Sequence, residues 1–291
     1  MSLTKTLILG FIAGATIVLG LPIGRMRQPA PRLRTLLNAL AVGVLFFLVI
    51  DVFANAYQPI QIQLHDLHVH HGGTVTRATL DIALLLVGTV VGLLSLTGYQ
   101  KFVRRRRAAA RAMSLSPSPS PSTSPSPSPS PLPSSIGDLT SPAQISMMIA
   151  LGIGLHNFGE GLAIGSSSHL GAVALSTVLV IGFGLHNATE GFGIVSPLVG
   201  ATNRPSWGFL GLVALIGGGP TTVGTLVGWY WSSTSLSIVF LSLAGGSIIF
   251  VICQLLYIAA RSANPTTVYL GIAAGLLAGF VTDIIVTSAG G

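Results

Sequence analysis

Charge is what this chain has least of. Its 291 residues include fourteen Lys or Arg and seven Asp or Glu, so only 7% are charged. A soluble domain carries roughly 25%. So few charges cannot cover the surface of a soluble globule of this length, while 50% hydrophobic residues exclude disorder as the main state. The net charge of +7 reflects scarce acid rather than abundant base, which argues against nucleic acid as a partner. The single Cys253 excludes a disulfide framework and a Cys-rich zinc module. What is abundant is apolar sequence and glycine. Thirty-six glycines suit a helical membrane bundle, where small residues let helix backbones approach closely.

A bilayer core about 30 Å thick needs about 20 apolar residues of helix. Eight stretches qualify: Thr6 to Gly24, Thr35 to Tyr57, Thr79 to Gly98, Pro142 to Ser168, Leu170 to Leu198, Trp207 to Trp231, Leu236 to Ala260 and Thr266 to Ser288. The expected fold is therefore an all-α polytopic membrane protein with eight transmembrane helices. Lys and Arg orient it, since they concentrate in cytoplasmic loops. With the N-terminus outside, the cytoplasmic side receives Arg25, Arg27, Arg32, Arg34, Lys101, Arg104 to Arg107, Arg111, Arg204 and Arg261, leaving Lys5 and Arg77 outside. Both termini are then extracytoplasmic, and a multi-pass position in the cell membrane is expected.

Three regions follow: residues 1–113 with helices 1–3, a linker at 114–135, and residues 136–291 with helices 4–8. The linker alternates Ser and Pro. Proline lacks the amide donor and clashes with the preceding turn, so an extended, disordered cytoplasmic tether is expected. The arginine run before it reads as an anchor beside anionic headgroups.

Ionisable groups inside a membrane are costly and are functional candidates by default. Helix 4 contains GIGLHNFGEG, with His156, Asn157 and Glu160; helix 5 contains GFGLHNATEG, with His186, Asn187 and Glu190. The two motifs stand 30 residues apart throughout. Each His and Glu are separated by one turn and about 40°, so they share a helix face, with the Asn at its edge. The short link near His169 makes helices 4 and 5 antiparallel neighbours and places both motifs at one depth. Two imidazoles and two carboxylates facing each other form a nitrogen and oxygen site suited to Zn²⁺, Fe²⁺, Co²⁺ or Mn²⁺. The glycines of the motifs, Gly152, Gly154, Gly161 and Gly191, are expected to serve helix packing.

These two motifs resemble those of the ZIP family of divalent metal-ion transporters, whose fourth and fifth helices carry His-Asn-x-Pro-Glu-Gly-type segments. The resemblance extends to eight spans, external termini and a long cytoplasmic loop between helices 3 and 4. It implies uptake of Zn²⁺ first, or Fe²⁺ or Mn²⁺, into the cytoplasm. It also implies helices 1–3 and 6–8 as inverted repeats around helices 4 and 5. By motif match, His156, Glu160, His186 and Glu190 would be ligands, with Asn157 and Asn187 beside them. Gly159 and Thr189 replace the family proline. No Asp or Glu lies between Glu190 and Asp283, so one metal site is expected rather than two.

Asp51, Asp81 and Asp283 fall near the outer helix ends, where they would form an acidic entry vestibule that concentrates cations. The outer loop HDLHVHH, with His65, Asp66, His68, His70 and His71, suggests metal capture. The expected partners are a divalent ion, the bilayer and, as the assembly considered, a second copy of the chain. No prosthetic group and no enzymatic activity are expected. Two rival readings remain: an intramembrane metal-dependent hydrolase, disfavoured because both carboxylates are needed as ligands, and a structural protein with buried His–Glu pairs.

Overall fold

The computed structural model describes residues 1–26, 31–69, 75–114, 141–171, 173–201, 203–231, 233–260 and 264–288; within these, the side chains of residues 31, 69, 103, 104, 106–114, 173–175, 178, 186 and 286 are not described. The Ser-Pro tether from residue 115, Arg27, His70, His71 and Arg261 lie outside the described residues, as do the side chains of His186 and of most of the arginine run.

Among the described residues the chain forms eight α-helices: α1 (Leu3–Ala15), α2 (Pro31–Val69), α3 (Val75–Ser114), α4 (Pro142–His169), α5 (Val173–Val195), α6 (Trp207–Tyr230), α7 (Thr234–Ala259) and α8 (Pro265–Ser288). Seven helical segments among the described residues are long and apolar enough to cross a membrane. The chain is a multi-pass membrane protein by that measure. The remaining helix, α5, has 23 residues and carries the second motif.

Two helices depart from the expected boundaries. α2 has 39 residues and α3 has 40. At 1.5 Å per residue each is about 60 Å long, roughly twice the apolar core. Nothing between Tyr57 and Val69 stops the helix, and even Pro59 is accommodated within it. The stretch HDLHV, expected as loop, is therefore the last turn and a half of α2, with His65 and His68 exposed and Asp66 partly so. The first span departs differently. It leaves α geometry at Thr16 and continues as a 3₁₀ helix through Arg25.

The packing is close. α4 lies along α6, α2 along α8 and α3 along α7, while α5 rests on the 3₁₀ half of the first span. The α4–α6 seam shows why glycine is needed. A Cβ on Gly161 or Gly165 would strike the carbonyl oxygens of Thr221 and Thr225; one on Gly224 or Gly228 would strike those of Phe158 and Leu162. The two backbones touch with no side chain between them. Motif glycines Gly154 and Gly191 abut Ile216 and Ile17 carbonyls in the same way, in line with their expected packing role.

The α4–α5 turn sets the site. Gly171 takes φ +80°, the left-handed conformation that reverses the chain. Below it, the Ser176 hydroxyl meets Ser168 at 2.9 Å and Ser167 at 3.1 Å, fastening the two helices together. At the opposite end, Arg25 closes the first span. Its Nη1 donates to the Pro205 carbonyl at 2.7 Å, and its guanidinium stacks 4.5 Å over the Trp207 ring. Arg204 returns two bonds to the Arg25 carbonyl, at 3.2 and 3.0 Å. Between this end and the motifs, Met148, Ile149 and Ile153 of α4 pack with Leu48, Ile248 and Leu255 in one buried apolar cluster.

Candidate metal centre

Both motifs lie at nearly equal chain distance from the α4–α5 turn, so antiparallel pairing brings them level. His156, Glu160 and Glu190 meet there. His156 Nε2 lies 3.2 Å from Glu160 Oε1, one turn along α4, and 3.8 Å from Glu190 Oε1 on α5. Their exposures are 2%, 5% and 1%. His186 stands on α5 one turn before Glu190, and its side chain is outside the described residues. Among the described residues, no group of three or more His, Cys, Asp or Glu is arranged so that it could hold a metal ion. The described part of the site is one imidazole between two carboxylates. Among the described residues, Glu160 Oε2 is buried with no hydrogen-bond partner. An anionic oxygen so placed is costly unless a proton or cation reaches it.

The two asparagines are fully buried and flank this cluster crosswise. Asn187 approaches the Glu160 carboxylate and Asn157 approaches that of Glu190. Each also grips a neighbouring helix. Asn157 Nδ2 donates to the Gly217 carbonyl of α6 at 3.0 Å, and Asn187 Nδ2 to the Ala13 carbonyl of α1 at 2.9 Å. A carbonyl cannot donate, so these bonds fix which end of each amide is nitrogen. Among the described residues, the side-chain oxygens Asn157 Oδ1 and Asn187 Oδ1 are buried without partners.

An open cavity of about 420 Å³ runs from His156 and Glu160 past Ser166 toward the α4–α5 turn. Asp51, on α2, and Asp283, on α8, both line it. Asn55, Ser237, Thr282 and Thr287 add polar walls that the sequence reading did not single out. Asn55 could have been found by its spacing: one turn after Asp51, it donates to that carboxylate at 3.0 Å.

Asp81 is different. It was expected in the vestibule, and it is instead fully buried between helices. Gln63 Nε2 of α2 donates to one carboxylate oxygen at 2.9 Å, and Ser235 Oγ of α7 to the other at 2.6 Å. Both oxygens are engaged in joining three helices, so neither faces the cavity. Asp81→Ala should therefore act on stability rather than on ion capture. It strands two donors, at about 1–3 kcal/mol for a buried group left unpaired. Thermal melting in detergent should fall, with no change in the apparent KM of any ion flux; a raised KM with unaltered melting would return Asp81 to the vestibule.

Compared with known proteins, the chain matches no family model and no curated protein.

Proposed function

We propose that this protein is a membrane transporter for a divalent transition-metal ion, Zn²⁺ first and Fe²⁺ or Mn²⁺ next, with the motif resemblance to the ZIP family as part of the proposal. One observation carries it: an imidazole and two carboxylates buried together at mid-span, with His156 and Glu160 lining a cavity that Asp51 and Asp283 also line. A dication entering lipid must replace its waters and its neutralising charge. Glu160 and Glu190 supply the charge, His156 a borderline nitrogen ligand, and His186 is assigned as the fourth. Asp51 and Asp283 form the vestibule. In this reading α5 is the eighth span, both termini face outward, and the cavity opens on the outer side while the apolar cluster around Met148 closes the cytoplasmic side.

The packing supports alternating access. Exchanging helix 1 with 6, 2 with 7, 3 with 8 and 4 with 5 maps the neighbour pairs onto one another: α2–α8 onto α7–α3, and α4–α6 onto α5–α1. The same exchange carries the bond from Asn157 to Gly217 onto that from Asn187 to Ala13. Such a pattern suits inverted repeats around a midplane site. Glycine contacts that press backbone on backbone fall within helices 1, 4, 5 and 6 or within 2, 3, 7 and 8. Between the groups, Gly159 of α4 meets the Leu241 side chain, and Gly152 meets Ser247 first through its side chain, at 3.1 Å, with backbone no nearer than 3.8 Å. The boundary between the two groups is where sliding is cheapest.

The 3.2 Å His156–Glu160 contact also suits a purely structural ion pair. Flux of Zn²⁺, Fe²⁺ and Mn²⁺ into proteoliposomes separates the readings: metal-dependent flux supports transport, and its absence in folded, inserted protein supports the structural pair. His65→Ala with His68→Ala should leave the maximal rate unchanged and raise the apparent KM, because these exposed side chains on the extension of α2 are far along the helix from the motifs. A collapse of the maximal rate at constant KM would place them in the transport step instead.

A further inference from the structure

A second polar centre lies at the end of the bundle away from the α4–α5 turn. There the first span and the connection from α5 to α6 are tied crosswise. Arg25 Nη1 donates to the Pro205 carbonyl at 2.7 Å, while Arg204 Nε and Nη2 donate to the Arg25 carbonyl at 3.2 and 3.0 Å. The Arg25 guanidinium also lies 4.5 Å over the Trp207 ring. Main-chain acceptors and a ring face therefore hold both side chains in place.

The protein does not offset these two charges. Among the described residues both ion pairs belong to His156, and neither arginine has one. In sequence, the acid nearest to Arg25 is Asp51, which lines the cavity, and the acid nearest to Arg204 is Glu190, which is buried at the motifs. Each guanidinium has five N–H donors in a planar fork. Among the described residues, three of these ten donors bond to carbonyls. The rest are left to an acceptor outside the chain. Water can satisfy the donors, but only an anion answers the charge.

We propose that Arg25, Arg204 and Trp207 form a binding site for the headgroup phosphate of an anionic phospholipid. The guanidinium fork matches phosphate oxygens two at a time. The surroundings favour a lipid over a free ion. Trp207 is 62% exposed at the first turn of α6, and tryptophan collects at the headgroup level of a bilayer. Further along the same two elements the exposed residues are apolar, Val18 and Leu19 on the first span and Leu212 and Leu215 on α6, as acyl chains require. A choline headgroup suits the site less. Arg25 covers a face of the ring that a quaternary ammonium would use, and the ammonium would meet two guanidiniums. The proposal does not depend on the metal reading.

The test is a titration of the full chain in dodecyl maltoside, read by native mass spectrometry and thermal melting. The probes are dioleoyl phosphatidylglycerol, dioleoyl phosphatidylcholine and inorganic phosphate. Phosphatidylglycerol should bind as a discrete adduct and raise the melting temperature, and the other two should do neither at the same concentration. Arg204→Gln should bind phosphatidylglycerol at least about tenfold more weakly, the low end for losing a hydrogen bond to a charged group. Arg34→Gln removes the same charge from the start of α2 and should bind it as the wild type does. Trp207→Leu changes no charge and releases Arg25 from the ring, so it should also weaken binding; it carries the test if Arg204→Gln does not fold. Equal weakening in Arg34→Gln and Arg204→Gln would mean general attraction between charges and no site. Inorganic phosphate matching phosphatidylglycerol would give the arginines to a free ion and overturn the lipid assignment. No response of the wild type to phosphatidylglycerol would end the proposal.

Discussion

Glu160→Ala and Glu190→Ala should each lower metal flux by at least about tenfold, the factor that about 1.4 kcal/mol of lost ion binding gives. The double variant should be little worse than either single one. Both carboxylates lie against the same imidazole nitrogen, at 3.2 and 3.8 Å through His156 Nε2. Residues that serve one ion act as a unit, so a second loss has little left to remove. His156→Ala should match them, and His186→Ala is predicted to do so from its motif position. The variants should still insert, because removing a buried carboxylate lowers the cost of placing α4 or α5 in lipid. Metal should raise the melting temperature of the wild type by binding the folded state, and raise it much less in the variants. Flux and metal-dependent melting on the four single variants and the Glu double decide the matter. Normal flux in both His156→Ala and Glu190→Ala would end the shared-site reading. Additive losses in the double variant would mean two independent groups instead of one site.

The parts of this arrangement that the sequence discloses are those set by local periodicity. His156 and Glu160 share a face because four residues make one turn, and the antiparallel motifs come level because the link near His169 is short. The spans show for the same reason: an apolar run of given length is a local property. Asp81 shows the limit. Its position near a helix end looks like an interfacial acid, and only the approach of Gln63 and Ser235, distant in sequence, makes it an interhelical tie. The extension of α2 is not legible because its polar residues have the composition of a loop. A helix that leaves the bilayer needs no apolar face, and hydropathy is silent about it. The pitch change at Thr16 is not legible either, since the apolar run continues across it with no charge or proline at the change. The asparagines themselves were visible by type and spacing; their bonds to Ala13 and Gly217 required the packed bundle.

The largest stability effect should come from a single methyl group on the α4–α6 seam. Gly224→Ala places its Cβ against the Phe158 carbonyl, with that carbonyl carbon at 3.0 Å and the Leu162 amide nitrogen at 3.1 Å. All three contacts are backbone, which cannot rotate away as a side chain would, so the helices themselves must part. Overpacking of this kind costs about 1–3 kcal/mol, and here it also separates Gly161 and Gly165 from their carbonyl partners. Gly211→Ala is the control on the same helix. Among the described residues, its Cβ would meet nothing within 4 Å. Alanine there should be neutral or slightly stabilising, since glycine in a helix interior is less favourable than alanine by about 0.8–1 kcal/mol. Thermal melting of the two variants in the same detergent should therefore move in opposite directions or, at the least, differ by several degrees. Flux should follow the seam as well. Phe158 and Leu162 bracket Glu160, so a shift of α4 against α6 displaces the carboxylate from His156 and Glu190. Gly224→Ala should lose transport out of proportion to the protein that remains folded, whereas Gly211→Ala should transport as the wild type does. Equal melting in the two variants would mean that α4 and α6 do not meet backbone to backbone along this seam.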